Sequence, residues 1–426
     1  MKKITELSKA ELLSYEESLE KSYEDYKSQR LSLDMSRGKP ASSQLDLSND
    51  LLKKPESFTT ETGLDVRNYG VLDGIPECKK LFSELLNIAP ENMIIGGNSS
   101  LNLMYDQMAR LCMFGTHGEK PWKAYEFEGN PVKFLCPSPG YDRHFSVCEA
   151  LGIQMITVPL KEDGPDMDMV EELVAKDPMI KGIWCVPLHS NPEGICYSDK
   201  VVDRLSSMKT AAKDFRIFWD NAYGIHHIYN EVKLKDVLNV CRHCGNEDRV
   251  YYFFSTSKIT FPGAGVALMA SGAGNIKEIK SQMGAQTIGY DKINQMRHVE
   301  FFKNAEGVYK QMAALADELR PKFDMVLSKF EESLTGTGLA TWTNPLGGYF
   351  VSLHTLPGCA KETVRLAKEA GVKLTGAGAT YPYGKDPEDS NIRIAPSYPV
   401  LDELSEAMDI LCICIKLAGI RSLLSK

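Results

Sequence analysis

Short apolar runs that alternate with helical patterns occupy the middle of this 426-residue chain. The runs have the length and the β-branched and aromatic content of buried strands, and they fall at 93–95, 132–135, 154–158, 183–186, 216–219 and 250–254. Parallel neighbours in a sheet need a crossover connection, which is usually a helix. The alternation therefore predicts an α/β fold, a mostly parallel sheet with helices on both faces.

The two ends of the chain follow a different pattern. Residues 4–33 predict a helix with Ser8 and Glu11 as a capping box. Loop-forming residues then run to a helix at 76–87, and a long helical stretch covers 291–334.

The C-terminal part predicts an α+β unit. Its elements are strands at 349–353 and 391–394 and helices at 360–370 and 402–417. Because a chain of this length exceeds one core, we expect two domains. The large domain would cover 46–309, and the small domain would combine 1–45 with 310–426.

Charge and hydropathy restrict the partners and the compartment. The chain has 49 Lys and Arg against 57 Asp and Glu, a net charge of -8, which disfavours nucleic acid and anionic membranes as partners. It has no apolar run long enough to span a bilayer, and its start lacks the apolar core of a secretory signal. Eleven irregularly spaced cysteines make a poor disulfide framework. We expect a cytoplasmic protein.

Reactive side chains follow two of the predicted strands, where ligands of open parallel sheets bind. Lys258, in Ser-Thr-Ser-Lys, can form a Schiff base with an aldehyde, although a solvated lysine is the commoner role. Asp220 directly follows the apolar run ending at Trp219 and needs a positive partner. A protonated pyridine nitrogen or a structural arginine would serve.

Other strand ends offer groups for a flat, phosphorylated ligand. Residues 96–100, Gly-Gly-Asn-Ser-Ser, precede a predicted helix at 101–111 and form either a phosphate site or a plain serine cap. Tyr141 is either a stacking ring or a half-buried loop residue. Asn191 is either an amide donor or a turn residue.

Arg393 stands inside an apolar strand of the predicted small domain. A guanidinium in such a place favours a planar partner that accepts two hydrogen bonds, such as a substrate carboxylate. A structural ion pair is the alternative.

In this order along the chain, these groups resemble those of the fold-type I aminotransferases, pyridoxal-phosphate (PLP) enzymes of the aspartate aminotransferase superfamily. The resemblance runs from about Gly38 to Pro399. It is greatest to the bacterial aspartate aminotransferase-like branch, through the motifs at 36–40, 67–77 and 257–260.

The resemblance implies a role for each of these groups. Lys258 carries PLP as a Schiff base and moves a proton between the substrate Cα and the cofactor C4′. Asp220 pairs with the pyridine nitrogen, Asn191 and Tyr223 bind the ring 3-oxygen, and Tyr141 stacks on the ring. The phosphate is held by the hydroxyls of Ser99, Ser100, Ser255 and Ser257.

The resemblance also implies substrate contacts and a homodimer. Arg393 binds the substrate α-carboxylate, with help from the Gly38 backbone and Asn191. Tyr69 reaches the phosphate of the neighbouring subunit, so the active unit is expected to be a two-fold dimer.

The chain departs from many relatives just after the Schiff-base lysine. Residues 259–265 contain no Arg or Lys to contact the phosphate. The partner of a second substrate carboxylate is also open, with Arg37, Lys39, Arg143 and Arg297 as candidates.

Three further signals carry no metal or dinucleotide site. Cys241 and Cys244 have CxxC spacing but lack a second pair of ligands. The adjacent His226 and His227 lack a carboxylate partner for a metal. Residues 263–265 precede an apolar run instead of joining a strand to a helix.

The sequence therefore predicts a PLP-dependent aminotransferase that works by a ping-pong route. An aspartate- or glutamate-type amino acid is the expected donor and a 2-oxo acid the acceptor. A β-lyase or decarboxylase on the same scaffold is the alternative. A PLP- or amino-acid-sensing regulator is disfavoured, because relatives of that kind carry an N-terminal DNA-binding domain and the 33 residues that precede Asp34 here are too few for one.

Overall fold

The computed structural model of the protein describes residues 3–36 and 38–425. Arg37, one candidate for the second carboxylate, lies outside the described residues. The helices are α1 (Lys9–Ser28), α2 (Ser42–Asp46), α3 (Pro76–Leu86), α4 (Ser100–Phe114), α5 (Trp122–Phe127), α6 (Asp142–Ala150), α7 (Met167–Lys176), α8 (Asp199–Ser207), α9 (Val237–His243), α10 (Ala273–Met283), α11 (Lys292–Phe302), α12 (Ala305–Leu334), α13 (Ala360–Glu369) and α14 (Leu401–Leu424). The strands are β1 (Leu33–Asp34), β2 (Met93–Ile95), β3 (Lys133–Ser138), β4 (Gln154–Lys161), β5 (Gly164–Pro165), β6 (Ile180–Cys185), β7 (Arg216–Asp220), β8 (Val250–Ser255), β9 (Ala267–Ala270), β10 (Ala340–Trp342), β11 (Val351–Thr355), β12 (Val372–Lys373) and β13 (Asn391–Ile394).

The central sheet has eight strands in the order β2-β9-β8-β7-β6-β3-β4-β5. Its middle strands β8, β7, β6, β3 and β4 are mutually parallel. Strand β9 is antiparallel to both of its neighbours, and β5 is antiparallel to β4. The predicted fold class is confirmed, and all six predicted strands of this sheet are present.

Both faces of the central sheet are covered by helices. Alternate residues of β7 point to opposite sides, as strand geometry requires. Ile217 and Trp219 join an apolar cluster that includes residues of α3, α7 and α8. Phe218 joins a second cluster with residues of α4 and α10. The strands are therefore buried on both sides, which explains their unbroken apolar sequences.

A smaller sheet, β10-β11-β13, is antiparallel and belongs to a third apolar cluster. This cluster also contains residues of α1, α12, α13 and α14. Ser352 of β11 pairs with Arg393 of β13, and this register sets the position of Arg393 relative to β11.

Two predicted helices have wrong bounds. The helix expected at 4–33 is confined to α1, where the Ser8–Glu11 capping box is present, and β1 follows it. The helix expected at 291–334 is broken into α11 and α12. Lys303 has a φ of 68°, and the Asn304 side chain caps α12 by accepting from the Gly307 amide.

The other predicted helices are present with shifted ends, the strand predicted at 349–353 corresponds to β11, and the strand predicted at 391–394 has the predicted bounds. None of the described helices combines the length and hydropathy needed to cross a bilayer. The cysteines at 78, 112, 136, 148, 185, 196, 241, 244, 412 and 414 are free thiols.

The strand order brings the site residues together. Strands β8, β7, β6 and β3 are consecutive neighbours and parallel, so their carboxyl ends meet at one edge. Asp220 is the last residue of β7, and Lys258, Asn191 and Tyr141 follow β8, β6 and β3 within six residues of the strand end.

Candidate active site

A cavity of about 560 Å³ lies at the carboxyl ends of these strands. The β11–β13 side of the molecule contributes Phe350 and Arg393, and the segment after β1 contributes Gly38. Every predicted site residue except Tyr69 lines the cavity: Gly38, Ser99, Ser100, Tyr141, Asn191, Asp220, Tyr223, Ser255, Ser257, Lys258 and Arg393.

Lys258 is prepared to act as a neutral amine. Its Nζ donates to the Gly38 carbonyl at 3.0 Å and lies 5.3 Å from the centre of the Tyr349 ring. Burial and the Arg393 charge lower the pKa of Lys258, Asp220 opposes them, and the net result is a pKa of about 8. A larger share of the amine is therefore unprotonated near neutral pH than in an ordinary lysine, and that form attacks an aldehyde.

Asp220 is buried and keeps one carboxylate oxygen without a partner. Its Oδ2 lies 3.0 Å from Nε2 of His144, whereas Oδ1 has no hydrogen bond among the described residues. The His144 ring stacks on Trp184 at 4.3 Å, which holds the imidazole in place. An unpaired buried carboxylate oxygen is costly. The site therefore fits a ligand that brings a cationic N–H, as a protonated pyridine does.

Serine hydroxyls and a helix N-terminus form the end of the cavity beside Lys258. Ser99 caps α4 by accepting from the Leu101 amide at 3.2 Å. Ser255 donates to Ser257 at 3.1 Å, and Ser257 donates to the Asn98 carbonyl at 3.3 Å. The positive end of the dipole of a 15-residue helix and these hydroxyls suit a phosphate.

Two tyrosines stay protonated in the cavity. Burial raises the pKa of Tyr141 to about 12, with Asp220 and Asp142 adding to the shift. Burial also raises the pKa of Tyr223 well above its usual value. Both phenols therefore keep a proton to donate at neutral pH.

Arg393 is buried and meets three polar side chains. Its Nη1 donates to Oδ1 of Asp142 at 2.9 Å and to Oδ1 of Asn191 at 3.2 Å, and Nη2 donates to Thr375 at 3.3 Å. Its Nε has no partner among the described residues. The ion pair considered as the alternative role of Arg393 is present, but it uses one nitrogen of the guanidinium.

The comparisons with known proteins identify the family. A family model described as aspartate amino-transferase matches residues 7–426, a span that contains the whole cavity. The chain belongs to this aminotransferase family. It is an enzyme, and the predicted aminotransferase activity is confirmed at this level.

Close relatives extend over nearly the whole aminotransferase chain. A putative aminotransferase of Mycolicibacterium smegmatis is 48% identical and covers 98% of each chain. An aspartate aminotransferase of Corynebacterium glutamicum is 46% identical and covers 95% of this chain and 94% of that one.

Solved structures of other aminotransferases match the fold of this chain. An aspartate transaminase from Corynebacterium glutamicum has a TM-score of 0.96 at 44% identity and covers 99% of both chains. An α-aminoadipate aminotransferase from Thermus thermophilus, complexed with N-(5'-phosphopyridoxyl)-L-leucine, shares the fold at 20% identity. Its TM-score is 0.74, and the match covers 92% of this chain and 93% of that one.

The residues proposed to bind a second substrate carboxylate differ in whether they line the cavity of the aminotransferase. Lys39 and Arg143 line the cavity, and Lys39 Nζ lies 3.6 Å from the centre of the Tyr398 ring. Arg297 does not line the cavity of its own chain, and its Nε donates to the Lys54 carbonyl at 2.8 Å.

Residues 259–265 bring no cation to the cavity of the aminotransferase. Of this stretch only Pro262 lines it. Tyr69 lies outside the cavity with 81% of its surface exposed.

Sequence reasoning missed three side chains of the aminotransferase site. His144, Asp142 and Thr375 contact Asp220 or Arg393, which stand far from them in the chain. His144 falls three residues after Tyr141, a spacing that places it on the first turn of α6 near the cavity. That spacing was the available signal.

Cys241 and Cys244 of the CxxC spacing and the adjacent His226 and His227 are all among the described residues. No cluster of three or more His, Cys, Asp or Glu side chains suited to a metal occurs within residues 3–36 and 38–425. Cys241 is buried in α9 and Cys244 is exposed. His227 Nδ1 lies 3.1 Å from His189 Nε2, and His226 is buried beside them.

Proposed function

We propose that this aminotransferase binds PLP in the cavity between Lys258 and Asp220 and works on aspartate- or glutamate-type amino acids. The amino group would pass to a 2-oxo acid in two half-reactions. One observation carries the proposal. A lysine whose pKa is lowered to about 8 and a buried aspartate with an unpaired oxygen line the same 560 Å³ cavity.

The side chains of the enzyme divide the work around the cofactor. When bound, PLP supplies an electron sink for the bonds at the substrate Cα. Asp220 would keep the pyridine nitrogen protonated, and His144 orients the carboxylate of Asp220. Lys258 Nζ would take the proton from the substrate Cα and carry it to the cofactor C4′, a transfer that a lowered lysine pKa favours.

Other groups bind the two ends of the ligands. Ser99, Ser100, Ser255 and Ser257 would hold the phosphate at the α4 N-terminus. Arg393 would bind the α-carboxylate, beside Asn191 and the Gly38 backbone. Lys39 or Arg143 would meet a second carboxylate. The relative of Corynebacterium glutamicum named aspartate aminotransferase supports a dicarboxylic substrate.

The proposal includes an assembly and a location. The active unit would be a homodimer in which Tyr69, largely exposed on a single chain, reaches the phosphate site of the partner. Free thiols throughout the chain are typical of a reducing compartment, and we propose the cytoplasm.

A single-turnover experiment tests the proposed activity. PLP-loaded protein mixed with aspartate or glutamate, without acceptor, is expected to release one oxo acid per subunit and to lose the visible absorption of bound PLP. Lys258→Ala should abolish this release. Lys416→Ala is the control, because burial also lowers the pKa of Lys416 but this residue lies outside the cavity. Release of ammonia or carbon dioxide instead of oxo acid would contradict the proposal and indicate a lyase or decarboxylase.

A further inference from the structure

We propose that Asp142 is a specificity-determining residue that occupies Arg393 in the substrate-free enzyme and yields this position to the substrate carboxylate. The inference rests on the proposed role of Arg393 in carboxylate binding. It assigns Asp142 the part of an internal carboxylate that every substrate must displace.

The contact between the two residues is incomplete. It joins one carboxylate oxygen of Asp142 to Nη1 of Arg393 at 2.9 Å. Nη2 has only the 3.3 Å contact with Thr375, and Nε has no partner among the described residues. A guanidinium can bind a carboxylate through two parallel hydrogen bonds. An incoming carboxylate that forms both bonds therefore has an advantage over Asp142.

The enzyme gains from the pair while the cavity is without substrate. The Arg393 side chain is 8% exposed, and a buried cation without a counter-charge is strongly unfavourable. Its other neighbours, the Asn191 amide, the Thr375 hydroxyl and the Phe350 ring, are uncharged. Exchange of the Asp142 carboxylate for that of the substrate keeps Arg393 paired in both states.

Asp142 has somewhere to go when it leaves Arg393. Its side chain is 32% exposed, so water already reaches it. It is the first residue of α6, where the helix dipole stabilises a negative charge. Because Asp142 is partly exposed and joins Arg393 through a single hydrogen bond, a substrate carboxylate that forms two hydrogen bonds is able to displace it.

Selection follows from this exchange. A ligand with a planar carboxylate replaces the lost pair with two hydrogen bonds, whereas an amine without a carboxylate would leave Arg393 bound to Asp142. Asp142 therefore lowers the affinity for all carboxylates by a similar factor, and it excludes ligands that lack the group.

Binding of succinate, an unreactive dicarboxylate, tests the inference by calorimetry on the PLP-loaded enzyme. Asp142→Asn is expected to bind succinate about three- to fivefold more tightly than the wild type, because the competitor has lost its charge. Asp142→Ser, which also suits a helix start, should change affinity in the same direction.

Asp199→Asn is the matched control. Asp199 is the first residue of α8, exposed and outside the cavity, so its replacement should leave succinate affinity unchanged. Equal or weaker binding by Asp142→Asn would overturn the inference and show that Asp142 holds Arg393 in place for the substrate.

Two further measurements separate this inference from the proposed function. Arg393→Met should abolish succinate binding, and the wild type should release oxo acid in the single-turnover experiment. If either result fails, the proposed function fails. If both hold and Asp142→Asn binds no more tightly, only the displacement by substrate is wrong.

Discussion

At the scale of single residues, the site rests on charges that act on Lys258 in opposite directions. Burial and Arg393 lower the pKa of Lys258, and Asp220 raises it. Asp220 itself is oriented by His144 and leaves one oxygen unpaired. Arg393 and Asp220 thus set both the reactivity of the Lys258 amine and the charge at the two ends of the cavity.

The pH dependence of PLP attachment to PLP-free protein should expose this balance. PLP attachment requires the neutral amine of Lys258. The attachment rate should therefore increase with pH, with a midpoint near the pKa of Lys258, about 8. Arg393→Met should move the midpoint to higher pH, and Asp220→Asn should move it to lower pH. Shifts in the same direction would contradict the account.

How far the sequence predicts the site follows from where each residue lies. Lys258, Asp220 and Asn191 each follow a strand, and a parallel sheet brings such positions together. Asp142 is different, because an acidic residue at a helix start is already explained by the helix dipole. Its contact with Arg393 depends on how β13 packs against α6, which no local pattern contains.

At the scale of elements, a buried hydrogen-bond network connects β13, the strand that contains Arg393, to the loop that contains Asn191. Glu193 accepts from the Ser352 hydroxyl at 2.5 Å, and Asn391 donates to Ser352 at 2.8 Å. His354 Nε2 lies 3.2 Å from the same carboxylate. Because Ser352 pairs with Arg393 across β11 and β13, this network fixes Arg393 relative to the loop.

His354 should make this attachment dependent on pH. Burial lowers the pKa of His354, but the Glu193 carboxylate, with Asp386 and Glu388, raises it by more, so the net shift is upward. A histidine whose pKa is raised by folding stabilises the folded state at pH values below its unfolded pKa of about 6.5. This stabilisation is lost as the pH rises through the pKa of the folded state. His354→Asn should therefore cost about 1–2 kcal/mol at about pH 6 and little at about pH 9.

Chemical denaturation at the two pH values measures this difference. His243→Asn is the control, since His243 is exposed on α9 and has no ion pair among the described residues. A loss of stability by His354→Asn that is equal at both pH values would contradict the role given to the charge on His354.

Element types were easier to predict than element ends. Strands such as β7 and β8 are buried on both faces, and their sequences show it. The pairing of β1 with β12 joins Leu33 to Val372, and two-residue strands leave no local period. The break between α11 and α12 depends on one side-chain cap, Asn304, inside an otherwise helical pattern.

At the scale of the whole molecule, the cavity gathers residues from Ser36 to Arg393, almost the full length of the chain. The predicted domain division, 46–309 against 1–45 with 310–426, remains a proposal. Two apolar clusters cover the faces of the central sheet, and a third includes residues of β11, β13 and α14.

Hybrid dimers test the proposed assembly. Tyr69→Ala and Lys258→Ala should each be inactive alone, and mixing them after unfolding and refolding should restore about a quarter of the wild-type activity. The reason is that half of the dimers are hybrids, and each hybrid contains one intact site if Tyr69 crosses the interface.

Lys258→Ala mixed with Asp220→Asn provides the comparison. Both residues line the cavity of their own subunit, so no hybrid of these two variants contains an intact site. Recovery in this second mixture, or none in the first, would contradict a shared site.

The central claim is that Lys258 binds PLP covalently in the cavity and that Asp220, which lines the same cavity, pairs with the pyridine nitrogen. Borohydride reduction of the PLP-loaded protein, followed by peptide mass analysis, tests it most directly. The account predicts a phosphopyridoxyl group on the peptide that contains Lys258, in wild type and in Asp220→Asn, and none on the peptide that contains Lys416. A label on another lysine, or an unlabelled Lys258 in the loaded wild type, would contradict the claim.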